Sequence, residues 1–220
     1  MRNTKSKMLS VYTYVIDHDL GLAPNPFWGY CTLAVCKPNI RKSKLLKIGD
    51  WVVGTGSVAL EKRLKRPPGH YINKIICAMQ VSEILTFEEY WNDPRFFVKR
   101  PNVNGSLARM YGDNIYYPID DNWGQLDSAH SNSDGSMNLK HRKKDLSGEN
   151  VLISDNFYYF GNNLIEVPTK FFELFKYGVG EKKNQTPLAI ELIDWIQKTQ
   201  TKGITGDPID WTNHIQITLF

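Results

Sequence analysis

The residues in this chain that could do chemistry are few and scattered. There are three cysteines, Cys31, Cys36 and Cys77, and five histidines. Cys31 or Cys36 with a distant histidine has the residue types of a thiol nucleophile and its base, but no spacing orders them into a dyad. Asp17, His18 and Asp19 offer two carboxylates and an imidazole in a row. Alternation along a strand sends neighbouring side chains to opposite faces, so these three are not expected to converge on a metal. A Walker phosphate loop, a GxGxxG turn and a Gly-x-Ser-x-Gly elbow are all missing from the sequence. Neither a metal nor a cofactor is expected.

Three constellations remain, each with a plain structural alternative. In APNPF (23–27) the prolines stiffen the backbone and would present Asn25 and Phe27 at low entropic cost. An Asn amide pairs well with a nucleobase edge, and the alternative is a rigid turn. In GTGS (54–57), Gly54 and Gly56 would let a ligand approach the main chain, with Thr55 and Ser57 donating to base or phosphate oxygens. The alternative there is a tight turn. In GDNIYY, DSAHS and SDNFYYFG, the polar groups Asn114, His130, Ser131 and Asp155 sit among aromatics including Tyr116 and Tyr158, as a base-sized pocket requires. Hydrogen-bonded turns beside a core would look the same.

The elements that must hold these residues are mixed. MLSVYTYVIDHD (8–19), WVV (51–53), KIICAMQVSEIL (74–85) and VLISDNFYYFG (151–161) read as strands. NIRKSKLLKIGD reads as a short helix, TKFFELFKYG as another, and TFEEYW opens with a Thr86–Glu89 capping box. TPLAIELIDWIQKT is a helix capped by Thr186 with Pro187 in its first turn. VALEKRLKRPPGHY reads as a basic loop, and IQITLF as a closing strand. Residues 95–150 lose periodicity and read as a loop-rich insertion that carries binding residues, with a mobile part near 128–150. The expected class is α+β: a small, mostly antiparallel, barrel-like sheet with peripheral helices and that long insertion. The expected organisation is one domain over 1–220, with a C-terminal helical extension at 169–220 packed on it.

Composition bounds the partners. The net charge is +4 and the pI is about 8.8, which permits an anionic ligand without requiring one. Basic runs fall at 41–47, 61–66, 140–144 and 181–185. Each alone reads as a solvated loop, and four together favour at least one facing a phosphate. An odd cysteine count without Cys-x-x-Cys argues against a disulfide framework. With no secretion signal and no apolar run of membrane length, a cytoplasmic protein without a membrane partner is expected.

Five ordered motifs carry a resemblance: YTYVIDHDLGLAPNPFWGYCTLAVCKPNIRKS, GDWVVGTGS, MQVSEILTFEEYWNDPRF, GSLARMYGDNIYY and VLISDNFYYFG. Together they resemble the nucleotide modification associated domain 2 family, from about residue 12 to 161 and on through the helices to 199. The resemblance implies a nucleotide or nucleic-acid context, often in phage–bacterial conflict. That family's pattern has two adjacent histidines after the Asp-Ser of DSAHS. Here Ala129 precedes a single His130, which puts any chemistry needing two imidazoles in question. GDWVV followed by ICAMQVSEIL is also similar to small PUA, EVE and YTH barrels, a likeness of fold alone.

The leading functional expectation is a module that binds a nucleotide or modified base. Asn25, Asn114, Thr55 and Ser57 would read polar edges, Phe27, Tyr116 or Tyr158 would stack, and Lys37 and Arg41 would meet phosphate. The alternative is an enzyme acting on a nucleotide or base through His130 with Asp155 or Asp113 as its acid–base partner. A protein-interaction adaptor using helix 187–199 is a third reading. A homo-oligomeric state is left open.

Overall fold

The computed structural model describes residues 9–211. Met8 and the expected closing strand at 215–220 lie outside the described residues. The strands are β1 (Val11–Ile16), β2 (Cys31–Leu33), β3 (Trp51–Gly56), β4 (Lys74–Gln80), β5 (Glu83–Thr86), β6 (Tyr116–Ile119), β7 (Asn122–Gln125), β8 (Asn150–Ser154), β9 (Asn156–Tyr159), β10 (Ile165–Glu166), β11 (Glu181–Asn184) and β12 (Gly203–Ile204). The α-helices are α1 (Pro38–Arg41), α2 (Val58–Arg63), α3 (Phe87–Asn92), α4 (Leu107–Met110), α5 (Leu139–Leu146) and α6 (Pro187–Thr199).

A seven-stranded sheet runs β11-β1-β3-β4-β9-β12, with β10 also paired to β4. A smaller sheet runs β2-β8-β5, and β6-β7 is a hairpin. Pairing is antiparallel except for β1–β3 and β9–β12. Mixed α and β structure with mostly antiparallel pairing matches the sequence reading, but among the described residues the sheets do not close into a barrel. Among those residues the large sheet has β11 at one edge and β12 at the other. Its centre turns a corner instead. β4 and β5 are one strand bent at Val81 and Ser82, β8 and β9 are one strand bent at Asp155, and their pairing register runs unbroken through the bend.

Alternation along the strands builds two cores on the large sheet. Tyr12, Tyr14, Ile16, Val52, Phe157 and Tyr159 face one side, and Val11, Trp51, Val53, Tyr158 and Phe160 face the other. The second face is covered by α6 through Ala189, Leu192, Ile193 and Ile196. A bulge lies opposite Gly54 and Thr55, where β4 has one residue more than β3. It breaks alternation, so Ile76 and Cys77 both enter the first core. A third core, with Phe87, Tyr90, Phe96, Tyr116, Val151 and Ile153, lies on the small sheet.

Several local readings change. Ser57 caps α2, a helix in the stretch expected to be loop. α1 covers only three residues of its expected segment, Asn39, Ile40 and Arg41, and 169–174 is a 3-10 helix. The 95–150 segment holds α4, the β6–β7 hairpin and α5, the last within its expected mobile part. Apolar periodicity could not reveal α5, because LKHRKKDL turns only Asp145 fully inward. The capping box at Thr86 and the Thr186 cap form as expected.

Gly54 and Gly56 are small because the protein itself occupies the space. A Cβ on Gly56 would lie 2.3 Å from the Tyr71 carbonyl oxygen, and one on Gly54 would meet Ile16 and Cys77. Gly56→Ala must push backbone apart, and overpacking of that kind costs roughly 1–3 kcal/mol. Urea unfolding should show a lower midpoint for Gly56→Ala at unchanged slope, and an unchanged midpoint would refute the steric account.

Candidate active site

Cys36 follows β2 and precedes Lys37, the N-cap of α1. Both residues adopt left-handed backbone, with φ of 57° and 40°. Such angles are costly for non-glycine residues and persist only where the surroundings enforce them. Here Asp145, reaching in from α5, accepts the Cys36 amide on Oδ1 at 2.8 Å. Arg41 is fully buried and donates to the carbonyls of Cys36, Asp145 and Asn150. It ties α1 to α5 and β8, packed against Gly148, where a Cβ would strike the guanidinium.

The other carboxylate oxygen of Asp145 does a second task. Oδ2 lies 2.6 Å from His130 Nδ1 and accepts from the Tyr116 hydroxyl at 2.8 Å. A carboxylate can only accept, so Nδ1 carries the proton while the imidazole is neutral, leaving Nε2 as an acceptor. Nε2 faces the Cys36 sulfur at 3.8 Å. Cys36, His130 and Asp145 therefore lie in line, sulfur to imidazole to carboxylate, the arrangement of groups that a thiol-based triad requires. A second imidazole, His141 of α5, packs edge-on against His130 with ring centroids 4.6 Å apart. Two histidines thus meet here without being adjacent in sequence.

The electrostatics agree with this geometry. Burial alone would push His130 down, but the bonds to Asp145 and Cys36 and the Asp145 charge hold it up to about 10. Burial works against the Asp145 charge as well, and His130 with the Cys36 amide and Tyr116 hydroxyl keeps that carboxyl below its ordinary value. Burial and the His130 charge lower His141. Cys36 is the half-buried thiol of the three. Cys31 and Cys77 are fully buried, and burial raises both, Cys77 to about 12.

The other residues singled out from the sequence lie elsewhere or point inward. The Asn25 side-chain nitrogen donates to the Tyr111 carbonyl and its oxygen accepts from Lys99 at 2.7 Å. Asn114 donates to the carbonyls of Tyr90 and Phe96. Asp113 is buried and accepts from Thr32 and Tyr90, whereas Asp155 is exposed at the ribbon bend. Thr55 and Ser57 donate to the carbonyls of Tyr14 and Ile16. Together with Gly56 they border a shallow cleft with Ile72, Asn73 and Tyr177, which includes neither Asn25, Asn114 nor His130. Phe27 stacks on Trp211, Tyr158 packs against Trp51, and Ser131 holds the turn that carries His130. Lys37 donates to the Val15 carbonyl. Of the expected site residues, His130 and Tyr116 come together, joined by Arg41 in a buried, positioning part. Asp19 bonds Tyr159 and the Ile209 amide, away from the exposed Asp17 and His18.

With this site described, the family can be stated. The family model for nucleotide modification associated domain 2 matches residues 8–215. The chain belongs to the nucleotide modification associated domain 2 family. The match spans every element that builds the site, so the Cys36 loop, the His130 turn and α5 all lie inside the family domain. No curated protein and no solved structure matches the chain. No described helix is long and apolar enough to cross a membrane.

Two measurements check the site. Native protein should take up iodoacetamide at Cys36 alone, read by peptide mass spectrometry. His130→Ala should slow that reaction about tenfold or more near neutral pH, since the ring that holds the thiol proton beside the sulfur is lost. Equal rates would break the link between sulfur and imidazole. The second concerns stability. A raised histidine stabilises fully below its unfolded value, about 6.5, and its contribution fades as pH climbs toward about 10. A lowered Asp145 contributes above its unfolded value, about 4, and that contribution fades as pH falls below it. The stability gap between wild type and His130→Gln should therefore be widest near pH 5–6 and shrink toward pH 10 in urea titrations.

Proposed function

We propose that the protein is a thiol-dependent enzyme acting on a nucleotide or nucleobase, at an electrophilic carbon such as an acyl or amide group that the substrate carries. The observation that carries this reading is the Cys36–His130–Asp145 alignment, with sulfur to Nε2 at 3.8 Å and Nδ1 to carboxylate at 2.6 Å. The family supplies the nucleotide-modification context. Of the two roles considered for His130, acid–base partner rather than base reader is favoured, with Asp145 in place of Asp113 or Asp155.

In this mechanism the thiol proton rests on His130 Nε2, as the ring's raised value of about 10 favours, and the Cys36 sulfur attacks the carbon. The C–S bond forms, the bond to the leaving amine or alcohol breaks, and the imidazolium returns the proton to that leaving group. Water or a second nucleophile then cleaves the thioester, deprotonated by the same nitrogen. Asp145 holds the tautomer and stabilises the imidazolium throughout. Tyr116 and the Cys36 amide hold Asp145.

The test combines titration and turnover. Nucleotides and oligonucleotides carrying modified bases should bind, and a subset should change mass on incubation. Cys36→Ala should abolish turnover, and His130→Ala should reduce it about 10²–10⁴-fold, with affinity largely kept in both. Turnover that survives Cys36→Ala would sink the thiol mechanism, and binding without any mass change would return the protein to the reader class.

A further inference from the structure

Two of the four basic runs, 41–47 and 140–144, are about a hundred residues apart in sequence and meet in space. α1 packs on α5, and Arg41 bonds the Asp145 carbonyl. Arg41 of the first run bonds the Cys36 carbonyl, and His141 of the second packs on His130, the ring that faces the Cys36 sulfur. Between residues 36 and 47 there is no acidic residue, and between 138 and 148 the only one is the buried Asp145. Lys140, His141, Lys143 and Lys144 are exposed. One α-helical turn relates His141 to Lys144, which places them on one stripe, and His141 touches His130.

Lys37, next to the nucleophile, closes the arc from the other side. It gives one donor to the Val15 carbonyl at 2.9 Å, and an ammonium has three. Lys144 is near enough to add to the burial that lowers Lys37, although Asp17 and Glu181 oppose it, and Lys140 and Lys144 both act on the His141 ring. Neither segment carries a surface acid to neutralise these cations, and the acids that face Lys37, Asp17 and Glu181, come from other elements.

We propose that Lys37, Lys140 and Lys144, with His141, form an anion-binding rim that seats a substrate phosphate beside the Cys36 thiol. The proposal rests on the thiol reading only in taking Cys36 as the reacting atom. The phosphate belongs either to a free nucleotide or to a nucleic-acid chain. Both present the same group, and they differ in how many phosphates meet the rim at once.

The test uses Lys140→Ala/Lys144→Ala in the full chain. Binding of a nucleoside triphosphate and of a labelled single-stranded oligonucleotide is measured against salt. Loss of about tenfold in affinity for either ligand at low salt supports the rim and names its source. For the oligonucleotide, the log–log salt slope should also fall by about 0.7 per phosphate contact removed. Unchanged affinity for both ligands overturns the proposal. A local probe ties the rim to the site: anionic iodoacetate should lose about threefold or more in its rate at Cys36 in the double variant, while neutral iodoacetamide changes less than twofold. If both reagents respond equally, the rim does not act at the thiol and the proposal fails. If neither reagent labels Cys36 even in the wild type, the thiol mechanism fails, and the two binding arms still decide the rim.

Discussion

One buried carboxylate organises this site. Asp145 is 1% exposed and serves the Cys36 amide, the Tyr116 hydroxyl and the His130 ring at once. An ionised carboxylate away from water is tolerable only when it is paired and hydrogen-bonded. That requirement couples three chain segments. The left-handed loop at 36–37 must present its amide, the hairpin β6–β7 must present Tyr116, and the turn at 128–131 must present His130. None of the three can move without leaving Asp145 short of a partner.

A second buried network holds the wall beside it. Lys99 is fully buried, and its three donors go to the Asn25 carbonyl, the Asn25 side chain and the Tyr30 carbonyl. Burial lowers it to about 8, opposed by the charge of Asp113. Asp113 in turn accepts from Thr32, the middle residue of β2. The strand leading into Cys36 is thereby held from both sides, by apolar packing on one face and this polar net on the other. The position of the Cys36 loop thus depends on buried residues that make no contact with the thiol itself.

Much of the fold was legible in the sequence, and the site was only half legible. Strand alternation and the Thr86 and Thr186 caps are local signals, and they predict what forms. Tyr116 and His130 stood out because polar groups among aromatics are conspicuous. Cys36 had the right chemistry, but its partners are 94 and 109 residues away, and no local spacing encodes a contact of that range. Asp145 was hidden further by its neighbours, since an acid inside KHRKKDL reads as one more surface charge. Its inward direction is fixed by its contacts with Cys36, Tyr116 and His130, which come from other segments of the chain. Asn25, Thr55 and Ser57 have donors and acceptors suited to a ligand, and the same atoms satisfy backbone groups in this fold. Composition cannot separate those two uses.

The corner in the central ribbon has a consequence for how the site is kept in shape. β4–β5 and β8–β9 hold a single pairing register from the large sheet into the small one, and β8 begins at Asn150, whose carbonyl and side chain both bond Arg41. A slip of one residue would turn over the inward faces of both sheets together. The ribbon therefore works as a ruler: the strand that fixes how Tyr158 meets α6 also fixes how far Arg41 stands from the Cys36 loop. Distance along the chain, set once by backbone pairing, becomes distance across the candidate site.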